Sequence, residues 1–324
     1  MLLDAASVWS KAWPILFAIL FFGVIILIHE LGHFTVAKLS GIKVNEFAIG
    51  MGPKLLSFGK GETKYSLRLI PMGGYVQMEG EDEASEDERA FNQKPVWKRF
   101  LVVIAGAVMN IILGLVLVAI LLTQQNLIGT TQIAGFHENA SSQSSGLQEG
   151  DVITHINGTS VWSDRDISFL MARDRDGVID FTVKRDGQKT ELKNVKFDTR
   201  EVDGQTVITF DFIIIGENKT FWNVLKTSFL ETASMARLVW LSLFDLVTGR
   251  FGLSDLAGPV GTVSVIAEAT TSGGFLNALS LMAFITINIG VFNLLPIPGL
   301  DGGRLFFLII EGIRRKPINR SEKG

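Results

Sequence analysis

Two histidines and a glutamate stand in the middle of an apolar stretch, where residues 25–39 read IILIHELGHFTVAKL. The stretch extends back to Trp13 and is long enough to cross a bilayer, which takes roughly 20 apolar residues. Two further stretches, 100–122 and 275–296, have that length and carry no charge. With 47% hydrophobic residues among 324 and a mean hydropathy of +0.33, the chain is more apolar than a soluble globular protein usually is. These features predict a polytopic α-helical membrane protein with three spans. The first stretch reads as a retained span rather than a signal peptide: its apolar pattern resumes beyond His33, and no small-residue cleavage site follows. A fourth stretch, 221–247, is interrupted by Lys226, Glu231, Arg237 and Asp245. It is expected as an amphipathic helix at the membrane surface or against the spans.

Lysines and arginines flank the spans unevenly. Lys38, Lys43 and Lys54 follow the first, Lys94, Lys98 and Arg99 precede the second, and Arg314, Arg315 and Lys316 follow the third. The positive-inside rule then places 40–98 and the C-terminal tail in the cytoplasm and 124–274 outside. The expected organisation is a first span in 1–40 and a cytoplasmic or membrane-re-entrant β region with an acidic loop in 41–98. A second span in 99–123, a soluble domain in 124–200, a linker with the interfacial helix in 201–274 and a third span with its tail in 275–324 complete it. The β region alternates in KYSLRLI and GYVQM, which predicts a small hairpin sheet with edges in 65–70 or 74–78. Non-helical backbone at membrane depth must be covered by protein or line a wet cavity, so such a sheet has to lie beside the site it serves.

The soluble domain has the order strand, loop, strand, helix from Ser163, and hairpin at Asp186-Gly187. That order, with the segment SGLQEGDVITHINGTSV, resembles a PDZ domain, whose groove takes extended peptides by strand addition. His137 and His155 in this domain receive no role. The net charge of −3 and the lack of a basic block exclude nothing but a nucleic-acid partner. The absence of cysteine removes disulfides, thiol nucleophiles and thiolate metal sites.

In HELGH, His29 and His33 are four apart, so a helix projects both imidazoles from one face in a zinc-chelating arrangement. Glu30 is free to take a proton from water. Ionisable groups inside a span are expensive and normally serve function. A catalytic zinc usually has three protein ligands. Asp301, in NLLPIPGLDGG, is the candidate third: it follows an uncharged span, and Pro296, Pro298 and Gly299 break the helix before it.

HELGH in the first span, FAIGMGP, RLIPMGGYV, a PDZ-like domain after the second span and NLLPIPGLDGG in the last together resemble the site-2 protease family, of the bacterial regulator-of-sigma type with one PDZ domain. The resemblance implies an intramembrane zinc endopeptidase of the cytoplasmic membrane. It implies His29, His33 and Asp301 as zinc ligands, Glu30 as the catalytic acid/base, and Asn293 as a substrate-holding residue. It further implies that an edge strand of the β region pairs with an unwound substrate, a single-span membrane protein such as an anti-sigma factor or a signal-peptide remnant. Two departures stand out. The family's Ala-Gly-Pro of the second span is Ala105-Gly106-Ala107 here, with an Ala-Gly-Pro at 257–259 instead, and the family's fourth span after LDGG is absent before Gly324. The alternative reading is a non-catalytic PDZ-bearing membrane scaffold with a structural zinc. A metal transporter is disfavoured, because no repeated set of intramembrane ligands lines a path.

Overall fold

The structure, a computed structural model, describes residues 5–81, 83–174, 176–202, 205–249 and 274–316. The Ala-Gly-Pro at 257–259 and residues 317–324 of the tail lie outside them. The chain forms two compact units, 1–117 with 239–324, and 118–238.

In the first unit, α1 (Ala5–Leu39), α2 (Val96–Gln124) and α6 (Gly274–Asn293) are long and apolar enough to cross a membrane. α2 approaches both others closely at glycines, as membrane helices often do, while Phe21 and Ile25 of α1 pack with Ile285 of α6 and Leu113 of α2. A Cβ added at Gly32 of α1 would lie 2.5 Å from the Ala105 carbonyl of α2, and one at Gly290 of α6 would lie 3.0 Å from the Ala107 carbonyl. A helix α7 (Asp301–Arg314) follows the turn after α6. The Arg99 guanidinium of α2 grips the Glu311 carboxylate of α7 through two bonds, one of 3.2 Å.

The β region holds two 15-residue strands, β1 (Val44–Phe58) and β2 (Lys64–Met78). Each is bent, so four segments lie side by side. Residues 44–49 pair antiparallel with 74–78, from Val44–Met78 to Ile49–Gly74. On their other side lie 64–67, from Glu46–Lys64 to Ile49–Leu67, and beyond those 54–58, from Lys54–Arg68 to Phe58–Tyr65. This corrects the sequence-based hairpin. KYSLRLI and GYVQM belong to one strand, and 65–67 has partners on both sides, so it is not an edge. The open edges are 54–58 and 74–78. Phe47, Val76 and Met78 pack with Ala37 of α1 and Val102 of α2, which fixes the sheet against the helices. Met51, Leu55, Leu56, Phe58, Leu69 and Ile70 remain exposed, an apolar patch of the kind that meets lipid or protein. On the polar side, burial opposes ionisation of Glu46, but hydrogen bonds from Ser66, Lys54 and Tyr75 prevail and hold its carboxyl at about 2.

The second unit is built on a sheet of order β10-β3-β4-β6-β7, where β3 is Ile128–Phe136, β4 Val152–Ile156, β6 Val178–Arg185, β7 Gln188–Lys196 and β10 Phe212–Glu217. A short β5 (Thr159–Ser160) pairs with β4, and β8 (Thr199–Val202) with β9 (Gln205–Ile208). The helices are α3 (Ser141–Ser144) and α4 (Asp164–Ala172). Asn157-Gly158 and Asp186-Gly187 make the expected turns, all four with positive φ. β10 comes from the stretch read from sequence as a linker; it pairs with β3 and so extends the sheet beyond residue 200.

The stretch at 221–247 forms α5 (Phe221–Val247), which is not among the three span-like helices. Two of its charges, Glu231 and Arg237, find partners on or just before α4. Glu231 takes an ion pair from Arg165 at 2.8 Å, and Arg237 lies 3.0 Å from Asp166 and 3.9 Å from the Trp162 ring centre. The buried Asp166 carboxylate also accepts the Trp162 and Ser163 amides at 2.7 and 3.2 Å, closing the start of α4, and the Ser234 hydroxyl. Removing one member of such a buried pair costs about 3–5 kcal/mol. Asp166→Ala should therefore lower the opening free energy of α4 and of α5 near Arg237 by about 3 kcal/mol. Hydrogen exchange of the full chain reads this directly; unchanged protection would remove the network from the account of this unit.

Candidate metal centre

His29, Glu30 and His33 lie on α1, and Asp301 opens α7. The chain leaves α6 at Asn293, turns through Pro296 and Pro298, and re-enters a helix at Asp301, where a carboxylate meets the positive end of the helix dipole. The turn brings the aspartate to the histidine pair. His29 Nε2 is 3.2 Å and His33 Nε2 3.3 Å from Asp301 Oδ2, and the two Nε2 atoms are 3.1 Å apart. This is the one group of three or more metal-ligating side chains of its kind among the described residues.

The triangle fits zinc. Tetrahedral ligands with bonds of 2.0–2.1 Å stand about 3.3 Å from one another. Two imidazole nitrogens and a carboxylate oxygen converging at this distance call for a cation between them, and Asp301 Oδ2 is buried without a hydrogen bond of good geometry. The donor set of two imidazoles and one carboxylate suits zinc and leaves a fourth position for water.

The triangle faces a cavity of about 1020 Å³, also lined by Glu30, Asn293 and residues 74–78 of β2. All five residues singled out from sequence therefore share one space. Gly74 of the open edge sits against Glu30: a Cβ there would lie 3.1 Å from Glu30 Cγ. His137 and His155 lie in the second unit and take no part in the triangle.

Sequence reasoning missed the contribution of α2. Gly106 lies against both rings at the Nε2 atoms that face Asp301, and a Cβ there would collide with His33 Nε2 and lie 2.7 Å from His29 Nε2. His33 Nδ1 is 2.8 Å from the Val102 carbonyl, and His29 Nδ1 is 3.3 Å from the Asn110 amide. The available signal was Asn110 itself, a lone amide in the otherwise apolar stretch 100–122.

Comparison with known proteins agrees with this chemistry. The family described as peptidase family M50 matches residues 17–324. A Clostridium acetobutylicum protein, provisionally named a zinc metalloprotease, is 41% identical over 96% of the chain and 90% of its own length. The regulator of sigma-W protease RasP of Bacillus subtilis is 31% identical, and the zinc metalloprotease RasP of Bacillus licheniformis 32%, each over 94% of the chain and 92% of its own length. The two RasP alignments run over 388 and 396 positions, so those relatives carry residues within the matched region that this 324-residue chain lacks. The chain belongs to peptidase family M50, the site-2 protease family, and is a membrane zinc metalloprotease.

Proposed function

We propose that this protease is an intramembrane endopeptidase. It hydrolyses a peptide bond within or near the transmembrane segment of a single-span membrane protein, such as an anti-sigma factor or a signal-peptide remnant. The observation that carries the reading is the His29–His33–Asp301 triangle, set on an apolar helix in a cavity that has an open strand edge for a wall. Zinc, when held by these three residues, supplies a Lewis acid that polarises a carbonyl and acidifies water. Glu30 accepts the proton of the attacking water and returns it to the leaving amine. Asn293 holds the substrate backbone from the end of α6.

A transmembrane helix satisfies its own amides and must unwind before it can be attacked. The 74–78 edge offers replacement partners by strand addition. The Glu79 amide points inward to the Lys43 carbonyl at 2.9 Å, so strand alternation turns the Met78 amide outward. Compared with Met78→Ala, which loses the same buried side chain but keeps the amide, Met78→Pro should lower cleavage about ten-fold further, the worth of one hydrogen bond of about 1.4 kcal/mol, with zinc content kept. Equal activity in the two variants would remove the edge from the mechanism.

The reading places the protein as a multi-pass protein of the bacterial cytoplasmic membrane, with 40–98 and the tail inside and 124–274 outside. The second unit is read as a PDZ domain, with β10 as the open edge for an extended peptide. The scaffold alternative shares all of this except catalysis. The deciding experiment is cleavage of a purified single-span test protein in detergent. Cleavage should stop on removing zinc with a chelator and return on adding it back, and a chain that holds zinc yet never cuts would favour the scaffold.

A further inference from the structure

Val102, Gly106 and Asn110 are four residues apart and so form one line along α2. The histidine pair on α1 is spaced the same way and lies against this line. His33 Nδ1 faces the Val102 carbonyl at 2.8 Å. A carbonyl only accepts, so the imidazole donates there, and its Nε2 is left bare for a metal. His29 must meet the same condition, because a ligating nitrogen carries no proton. Its Nδ1–H then needs an acceptor, and the group within reach is the Asn110 amide.

Asn110 is fully buried, and its Oδ1 has no hydrogen-bond partner. The amide instead presents Nδ2 to His29 Nδ1, at 3.3 Å. That arrangement puts the His29 proton on Nε2, the atom that points at the triangle. A half turn of the amide exchanges oxygen and nitrogen with little change of shape. Oδ1 then accepts from Nδ1–H, and Nε2 is freed.

We propose that Asn110 is a positioning residue for the metal: its side-chain oxygen holds His29 in the Nδ1-protonated form that offers Nε2 as a ligand. This rests on the zinc-site reading of His29, His33 and Asp301. α2 then supplies the outer partner of both histidines, a backbone carbonyl for one and a side-chain oxygen for the other, on either side of Gly106.

The test is zinc affinity of the purified full chain, measured by competition with a chromophoric chelator, for wild type, His29→Ala, Asn110→Leu and Asn110→Asp. The visible spectrum of the cobalt-loaded forms gives a second readout. Leucine suits an apolar span and should leave folding intact, but it should weaken zinc binding 10- to 100-fold and alter the cobalt bands. Aspartate offers an acceptor of the same shape and should restore affinity to within about three-fold of wild type. Equal affinity in the leucine variant, or equal loss in both variants, would overturn the proposal while wild-type binding that His29→Ala abolishes leaves the site reading standing. A wild-type chain that binds no zinc, or a His29→Ala chain that binds it undiminished, would overturn both.

Discussion

Replacing Gly106 with alanine is expected to empty the metal site while the helices stay folded. The new methyl would collide with His33 Nε2 and stand 2.7 Å from His29 Nε2, the two atoms that converge on Asp301 Oδ2 and are proposed to bind the metal. Real carbon contacts settle near 3.5–4.0 Å, so the rings must retreat by about 1 Å. A metal site tolerates displacements of about 0.2 Å in its bonds. Zinc per chain, measured by mass spectrometry after dialysis, should fall to less than a tenth of the wild-type value. Alanine is the better helix former by about 1 kcal/mol, so α2 itself is not weakened, and circular dichroism should show full helicity. A fully zinc-loaded alanine variant would mean that the helix does not support the rings at this position.

Glu30→Gln should separate binding from chemistry. Glutamine keeps the shape of the side chain on the cavity wall beside Gly74 and leaves the His29–His33–Asp301 triangle in place. It cannot take a proton from water. Loss of a positioned general base costs about 10²- to 10⁴-fold, so cleavage of a single-span test protein should drop by that factor at unchanged zinc content. Activity within two-fold of wild type would assign the proton transfer to another group and revive the scaffold reading.

The parts of this molecule that were legible in its sequence are those set by local spacing. Three apolar stretches gave three helices because length and hydropathy suffice for a span. His29 and His33 are neighbours on any helix, and a lone Asp301 after an uncharged helix had few reasons to be there other than a cation. What sequence could not convey depended on which elements meet. The doubling of β1 and β2 into four segments follows from long-range register, which alternation within each short run does not reveal. β10 pairs with β3 some 80 residues away in the chain, and such distant pairings leave no local trace. Gly106 and Asn110 matter only because α2 turns that face to α1, and an apolar span gives no periodic signal of its facing side.

The backbone-to-backbone contacts of α1, α2 and α6 bear on how the enzyme would measure its substrate. Backbones that touch at Gly32 and Gly290, with Phe21, Ile25, Leu113 and Ile285 packed among the same helices, form a closely fitted block. When a bilayer thickens or thins, such a block tilts or shifts as a whole instead of opening. The cavity then keeps its form while its depth changes, like a ruler slid along a fixed scale. In proteoliposomes of increasing acyl-chain length, the cut should move along the substrate by about one residue for each 1.5 Å of helix rise, with little change in rate until the substrate span no longer reaches. Mass spectrometry of the product termini would record that movement.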